Sequence, residues 1–459
     1  MNAQSTMSAQ IAPGPGGGFI FGSAAAMYKR PLERLIEDMH RFGPVVHYRF
    51  LRTPIFFLSH PDGVERVLHS NHSNYNKNNF DYQMLKPLLG NGLLTAENPL
   101  WLRQRRLIQP MFHRQRIAEF GAIMIDETAR MLDGWHARFQ AGEPFDITAE
   151  MMRVALRIAS RTLIDLEIGD DAATVAEALG VVVRLFGTDA ISLLLPFLPT
   201  AHNRKLKGAN RSLHMLVDRI IEERVREDRD HGDLLSMLLA ARDADTGEPM
   251  PPKQIRDEVL TLLLAGHETT ANALGWTFYL LSSAPEVEGK LRTEFDQVLG
   301  GRLPTVEDIA RMPYLTMVLQ EAMRLYPPAW AISRAVIADD EIMGYRIPAG
   351  ANVLLSQWVT HRHPDFWSDP NRFDPERFRP EEIAKRPRYT YFPFGGGPRL
   401  CIGDQFAQLE ARLILATVLQ NYRLRLAQTN PVEPEPLITL RPRKGIMMAV
   451  ETIHRAAAA

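Results

Sequence analysis

The sequence predicts a mainly α-helical protein with a smaller β region, and a few stretches carry that prediction. Residues 101–241 have the spacing of successive amphipathic helices, broken by a loop at 192–203. Residues 251–285 have prolines at both ends and predict a single helix about 45 Å long. Residues 45–60, VVHYRFLRTPIFFLSH, alternate and are rich in branched and aromatic side chains, which predicts a β-hairpin. Residues 437–451 predict a second, closing hairpin.

Three further segments define the C-terminal half. The stretch 314–326 predicts a helix that ends at a Pro-Pro pair, with Leu315, Val318, Leu319 and Ala322 on its buried face. Residues 358–398, rich in proline and aromatic residues, predict a packed, irregular meander. A helix over 404–421 follows, with Phe406, Leu409, Leu413 and Ala416 on one face.

The middle of the predicted long helix is unusual. The sequence AGHETT at 265–270 places polar and small residues where burial should be greatest, and this predicts a kink.

Composition and charge narrow the class of protein. The chain has 459 residues, 45% of them apolar, and its 53 basic and 54 acidic residues give a formal charge of −1. No overall field therefore favours nucleic acid or an anionic membrane. One cysteine excludes an internal disulfide framework and fits a reducing compartment. The sequence contains no run of about twenty apolar residues, so it predicts no membrane span. We expect a cytoplasmic protein, with a flexible lead-in at 1–28 and a single domain over 29–459.

The only cysteine, Cys401, stands in FGGGPRLCIG at 394–403, directly before a predicted helix. A lone cysteine is most often a small buried apolar residue. Here, however, the cysteine precedes a helix N-terminus, a position that generally lowers a thiol's pKa, and the glycines at 395–397 allow a tight turn that aims amides at the sulfur. Gly403 allows the following helix to approach a flat object closely, and Arg399 is placed to pair with a carboxylate.

Two chemical roles remain for this thiolate. A nucleophile would need a general base within hydrogen-bond reach, and the sequence leaves four candidate histidines: His113, His267, His361 and His363. A thiolate that is shielded by amides and by the aromatic face of Phe394, and that faces a flat group bearing carboxylates, is a better ligand for haem iron.

These residues resemble a known family. Phe394, Gly397, Arg399, Cys401 and Gly403 match the haem-ligand signature of the cytochromes P450, the haem-thiolate monooxygenases, which is strongly specific over ten residues. The resemblance implies the cytochrome P450 fold, with a long central helix over haem b and the cysteine loop beneath it. It also implies that residues 29–459 form one catalytic domain and that Cys401 is the axial ligand of the haem iron.

Three other patterns support the resemblance in the family's order. Ala265, Gly266, Glu268 and Thr269 resemble the oxygen-activation motif, in which Thr269 and Glu268 would deliver protons to the oxygen being reduced. Thr269 read alone would bond a carbonyl one turn back. Glu321 and Arg324 match the family's E-x-x-R pair, and Arg377 matches the third member of that buried network. By spacing alone, Glu321 and Arg324 would be an exposed ion pair.

The resemblance also suggests which residues hold the two haem propionates. Trp101 and Arg105 match a W-x-x-x-R pattern, and Arg334 and Arg399 complete the set. Each of these arginines read alone would be a solvated surface charge.

Electrons are expected from a separate protein, because no G-x-G-x-x-G follows a predicted strand. The resemblance implies NAD(P)H-derived electrons, O2, and a ferredoxin or flavodoxin with its reductase. The basic cluster Arg103, Arg106, Arg114 and Arg116 would dock that acidic partner, unless it is only a solvated helical face.

The family's substrate-facing positions carry apolar residues and imply a small lipophilic substrate, such as a terpenoid or a fatty acid, that is hydroxylated or epoxidised. They are Phe80, Tyr82, Leu85, Leu89, residues 193–195, Phe197, Ala329, Trp330, Ile332 and Ile438. Read singly, most would belong to the core. Two alternatives stay open at this stage: a peroxide-driven haem enzyme of the same fold, which would typically lack the Glu268 and Thr269 pair, and a haem-binding sensor or carrier that catalyses nothing.

Overall fold

The fold is described from a computed structural model, which describes residues 10–16, 23, 30–50, 52–139, 143–166, 170–185, 198–243 and 245–453. Residues 193–195 and Phe197, expected to contact substrate, lie outside these ranges. In the described part of the chain, no helix is long and apolar enough to cross a membrane.

The described helices dominate the structure, as expected. Their bounds are α1 Pro31–Phe42, α2 Pro61–Glu65, α3 Phe80–Leu89, α4 Leu100–Ile108, α5 Arg114–Glu119, α6 Gly121–Phe139, α7 Ile147–Ile164, α8 Asp170–Leu185, α9 Ala201–Glu227, α10 Leu234–Ala240, α11 Pro252–Ser282, α12 Pro285–Val298, α13 Pro313–Leu325, α14 Gln357–Thr360, α15 Pro380–Ile383 and α16 Asp404–Leu419. A π-helical turn spans Arg66–Ser70, and 3-10 turns span His72–Asn74, Gln109–Phe112, Glu307–Arg311, Pro375–Phe378 and Gly397–Arg399.

Within the described ranges, the strands are short and lie in four small sheets. Their bounds are β1 Val45–Phe50, β2 Thr53–Leu58, β3 Tyr75–Asn76, β4 Phe145–Asp146, β5 Ile332–Val336, β6 Asp340–Ile342, β7 Tyr345–Ile347, β8 Asn352–Leu355, β9 Tyr422–Leu426, β10 Pro434–Pro436, β11 Leu440–Pro442 and β12 Met447–Thr452.

The chain divides into two compact units. The first comprises Met1–Gln83, Ala329–Arg372 and Pro380–Cys401, and the second comprises Met84–Pro328, Phe373–Arg379 and Ile402–Ala459. The single catalytic domain over 29–459 stays a prediction.

A five-stranded sheet, in the order β1-β2-β8-β5-β3, organises the first unit. The predicted hairpin is confirmed: β1 and β2 pair antiparallel, with Val45 opposite Leu58. Strand β8 pairs parallel with β2 and antiparallel with β5. The alternation of the sequence explains the burial, because Val45, Phe56 and Leu58 turn into one core cluster beside Val353.

The long helix α11 is the centre of the second unit. Pro252 occupies its first turn, where the missing amide hydrogen costs nothing, and the helix ends at Ser282, close to the prediction. It is buried around most of its circumference because α7, α9, α13 and α16 pack against it. The helix is continuous through 265–270, and a kink there stays a prediction.

The two other predicted helices form as α13 and α16. Leu315, Val318, Leu319 and Ala322 are buried on α13, as predicted. On α16 the predicted face is buried at Leu409, Leu413 and Ala416, whereas Phe406 is only half-buried.

The prediction of a closing hairpin over 437–451 is wrong. Strand β11 pairs with β10, whereas β12 pairs with β9 and β4. Pro442 has no amide hydrogen to continue a ladder, and the chain then turns at Gly445, with a φ of +73°. The two halves of the tail therefore join different sheets in the second unit.

Candidate functional site

A glycine turn presents Cys401 at the end of the first unit. Gly395 and Gly397 have φ angles of +75° and +63°, a region that suits glycine. The Cys401 amide donates to the Phe394 carbonyl at 3.0 Å and closes the turn. The thiol is exposed, which excludes the reading of Cys401 as a small buried apolar residue. Two residues separate it from Asp404, where α16 begins.

Packing explains part of the glycine pattern. A Cβ atom on Gly397 would lie 1.7 Å from the Leu68 carbonyl oxygen, so only glycine fits against the π-helical turn Arg66–Ser70. A Cβ on Gly396 would lie 2.4 Å from the Tyr389 ring. At Gly403 it would meet only Phe112, at an ordinary 3.8 Å, so protein packing does not require glycine there. Close approach of a flat ligand would explain the glycine at position 403 instead.

Two of the histidines considered as general bases form hydrogen bonds with backbone groups. His267 is fully buried, donates from Nδ1 to the Leu263 carbonyl at 2.7 Å, and has its pKa lowered to about 4 by burial. His361 accepts the Phe392 amide hydrogen at Nε2, at 2.9 Å. His113 is an exposed residue at the start of α5. His363 is buried, which lowers its pKa.

The first unit buries two cations around one tyrosine. Arg334, 6% exposed, donates to the Tyr82 hydroxyl at 2.9 Å and to the Ser333 carbonyl at 2.7 Å, and both acceptors are neutral. The Lys77 ammonium, also buried, lies 5.0 Å from the centre of the Tyr82 ring. A guanidinium buried among neutral acceptors suits an added carboxylate, so this donor set fits a haem propionate. Sequence reasoning missed Lys77, which no spacing rule connects to Arg334.

The other expected propionate contacts lie on separate elements. Trp101 is buried on α4 with Leu93 and Ala96, and Arg105 is half-buried one turn later. Arg399 is half-buried at the end of the 3-10 turn that precedes Cys401.

The middle of α11 brings an acid and an alcohol together. Thr269 is half-buried and donates to the Ala265 carbonyl at 2.6 Å, the contact expected of a threonine read alone. Ala265 is exposed and Gly266 half-exposed, so the helix surface is open at this turn. Glu268 is only 5% exposed, and this burial raises its pKa.

The buried carboxyl of Glu268 has a partner that sequence reasoning missed. The Thr439 hydroxyl donates to Glu268 Oε1 at 2.6 Å, and Asn272 Nδ2 donates to that hydroxyl at 3.1 Å. Thr439 lies 171 residues away in sequence, directly before β11. No local pattern could have connected them.

The structure brings Glu321, Arg324 and Arg377 together. Glu321 and Arg324 are fully buried and form two hydrogen bonds, at 2.6 and 2.8 Å. Arg377 Nε approaches Glu321 Oε1 at 3.5 Å, and the Asp374 amide donates to the same oxygen at 2.9 Å. The reading of an exposed pair is therefore wrong. This carboxylate fixes the 3-10 turn Pro375–Phe378 to α13.

The apolar positions expected to face substrate divide into three groups. Leu89 is 1% exposed, Trp330 packs on the core beside β1 and β2, and Tyr82 accepts a hydrogen bond from Arg334. Contact of these three residues with substrate stays a prediction. Leu85 is buried as well, and Ala329 and Ile332 are half-buried. Phe80 and Ile438 are exposed, at 45% and 38%.

The basic cluster is partly neutralised within the second unit. Arg103 pairs with Asp243 at 2.7 Å, Arg106 approaches Asp245 at 3.6 Å, and Arg116 pairs with Glu119 at 2.8 Å. The acidic loop after α10 thus covers part of this face, and Arg114 is exposed.

Comparison with known proteins extends along nearly the whole chain. The cytochrome P450 family model matches residues 12–450. Cyclooctatin synthase of Streptomyces melanosporofaciens is 39% identical over 430 residues, which cover 93% of this chain and 92% of that protein. Cyclooctat-9-en-7-ol 5-monooxygenase of the same organism is 37% identical over 423 residues, or 90% and 89% of the two chains. The crystal structure of the cytochrome P450DA heme domain matches with a TM-score of 0.86 at 25% identity, covering 97% of this chain and 98% of that one.

Proposed function

The chain belongs to the cytochrome P450 family and is a haem-thiolate monooxygenase, and from that premise we propose that it oxidises a terpenoid or a similar neutral lipophile. The observation that carries the oxidative role is the buried Glu268 beside Thr269 in the middle of α11. A peroxide-driven haem enzyme of the same fold would typically lack this acid and alcohol, and a carrier would have no need of them.

The family implies haem b, and we assign its contacts to particular residues. Cys401 would ligate the haem iron, with Phe394, Gly397 and Gly403 beside it. Arg399, Arg334, Arg105 and Trp101 would hold the two propionates. When bound, the haem would supply the iron at which O2 binds, and the Cys401 thiolate would supply the electron density that favours O–O cleavage. The buried Arg334 supports this assignment, because its bonded acceptors are neutral.

The proposed roles on α11 follow from burial and hydrogen bonding. Glu268 holds a proton more readily than an exposed glutamate because burial raises its pKa. Thr269 can release the Ala265 carbonyl and offer its hydroxyl at the open turn of the helix. Together the two side chains would hold protons and pass them, through ordered water, at this turn of the helix. Burial of Glu268 limits access of bulk water to its carboxyl.

Thr269→Ala tests this assignment. We expect product formed per electron consumed to fall at least about tenfold, with hydrogen peroxide rising in step, because a proton donor is lost. Thr277→Ala is a matched control: Thr277 makes the same bond to a carbonyl one turn back, at 2.7 Å, on the same helix. Unchanged coupling in Thr269→Ala, or an equal loss in both variants, would contradict the role.

The substrate proposal rests on the relative named for cyclooctat-9-en-7-ol and on the apolar side chains at Phe80, Leu85 and Ile438. The test is product analysis with two probes, cyclooctat-9-en-7-ol and lauric acid. We expect a hydroxylated or epoxidised product from the cyclic alcohol and little from the fatty acid. The reverse preference would assign the enzyme to fatty acids instead.

Electron supply completes the proposal. We infer a cytoplasmic enzyme that takes NAD(P)H-derived electrons through a ferredoxin or flavodoxin with its reductase. The exposed Arg114 and the paired Arg103, Arg106 and Arg116 form the surface for that acidic partner. Reduction by the partner should therefore slow as salt is raised.

A further inference from the structure

One face of α11 holds Thr439 and Leu440, where β11 begins. Glu268, Asn272 and Trp276 are spaced four residues apart and therefore lie along one face of the helix. Glu268 and Asn272 contact the Thr439 hydroxyl, and Trp276 Nε1 donates to the Leu440 carbonyl at 3.1 Å. The Leu440 amide in turn donates to the Pro328 carbonyl at 2.9 Å. Both side-chain and backbone hydrogen bonds therefore hold this segment in place.

The direction of the hydrogen bonds is determined by their chemistry. The Asn272 amide nitrogen can only donate, so the Thr439 oxygen accepts from it. The single hydroxyl hydrogen of Thr439 is then directed to Glu268 Oε1. All three side chains are at most 6% exposed, so water is not a ready substitute for this donor.

We propose that Thr439 is a positioning residue for Glu268: its hydroxyl, oriented by Asn272, holds the carboxyl of the proton-delivering acid in one place and stabilises its ionised form. The proposal rests on the function assigned above to Glu268. It adds a residue that the family signature does not contain and that local sequence does not indicate.

Few other charged groups influence this carboxyl. Arg441 on β11 lowers the Glu268 pKa through its charge, while itself pairing with Glu435 at 2.9 Å. Glu410, on the α16 helix that packs against α11, is a second buried carboxyl. The neighbouring His267 is neutral above about pH 4. The Thr439 hydroxyl is thus the neutral group that supports ionisation of Glu268 directly.

The first test measures the carboxyl itself in the haem-loaded protein. The infrared band of protonated Glu268 is identified by its loss in Glu268→Gln, and its pH dependence is recorded in Thr439→Val and Thr439→Ser. Thr439→Val keeps the shape and removes the hydroxyl, so the pKa of Glu268 should rise. Thr439→Ser should restore the wild-type titration. An unchanged titration in Thr439→Val would overturn the proposal.

The second test measures coupling with cyclooctat-9-en-7-ol, a plant-type ferredoxin and its reductase. Thr439→Val should increase peroxide formed per electron severalfold, Thr439→Ser should not, and Thr439→Val should add nothing in a Glu268→Gln background. An equal effect of Thr439→Val in that background would overturn the proposal. If the wild type oxidises no probe, the proposed function fails while the infrared titration still decides the role of Thr439.

Discussion

The Glu321 carboxylate holds two arginines and a backbone amide in the interior of the second unit. It bonds Arg324 twice, approaches Arg377, and accepts from the Asp374 amide. A buried network of this kind adds little stability compared with apolar packing. The loss of one member, however, leaves an unpaired charge buried away from water. The integrity of the meander that leads to Cys401 therefore depends on this one side chain.

We predict that Glu321→Ala abolishes haem incorporation and lowers the free energy of unfolding by about 3–5 kcal/mol. Glu382→Ala is the control, because Glu382 pairs with Lys385 at the surface and its loss should cost under about 1 kcal/mol. Soluble yield and the haem-to-protein absorbance ratio are the measurements. A soluble Glu321→Ala protein with full haem content would refute this.

A second buried carboxyl gives the stability of the protein a pH dependence. Burial raises the pKa of Glu410 from 4.5 to about 8. The folded state therefore holds a proton that the unfolded chain releases. The free energy of unfolding is therefore highest below about pH 4.5, falls as the pH rises, and levels off above about pH 8.

We expect Glu410→Gln to remove this dependence, so that stability relative to the wild type improves by up to about 4 kcal/mol between pH 5 and 8. Denaturant unfolding at several pH values measures it. The exposed Glu382→Gln should follow the wild-type slope, and a Glu410→Gln slope equal to that of the wild type would show that Glu410 does not titrate in this range.

At the scale of elements, the turn that carries Cys401 depends on two glycines in different ways. Gly395 and Gly397 both have positive φ, but a Cβ at Gly395 would meet nothing within 4 Å, whereas one at Gly397 would overlap the Leu68 carbonyl. At Gly395, glycine is favoured only by the backbone conformation. At Gly397, glycine is also needed for the turn to pack against the π-helical turn Arg66–Ser70.

Gly397→Ala should therefore be far more damaging than Gly395→Ala. We expect about 1 kcal/mol for Gly395→Ala, from the left-handed backbone alone, and several kcal/mol with loss of thiolate-ligated haem for Gly397→Ala. Thermal unfolding and haem content compare the two. Equal effects would mean that the contact with Leu68 is not maintained.

The elements that could be predicted from the sequence are those with a local cause. Alternation predicts the β1 and β2 hairpin, and flanking prolines predict α11 and α13 within a few residues. The closing hairpin failed because strand partners are chosen by distant segments, here β9, β4 and β10. For the same reason, the bond from Thr439 to Glu268 and the acidic loop over Arg103 could not be foreseen.

At the scale of the whole molecule, ten residues around Cys401 identified the family and the mainly α fold, and the solved cytochrome P450 structure at a TM-score of 0.86 confirms that fold. The substrate-facing residues stay predictions. Leu89, Tyr82 and Trp330 pack in the interior of the protein, and an apolar or aromatic residue in the sequence is equally compatible with core packing and with contact to a ligand.

The absorption spectrum of the reduced protein with carbon monoxide decides whether Cys401 supplies a thiolate to haem iron. We expect a Soret band moved strongly to the red in the wild type, and loss of that band in Cys401→Ser. A spectrum like that of a histidine-ligated haem, or a wild-type band that survives in Cys401→Ser, would contradict this expectation.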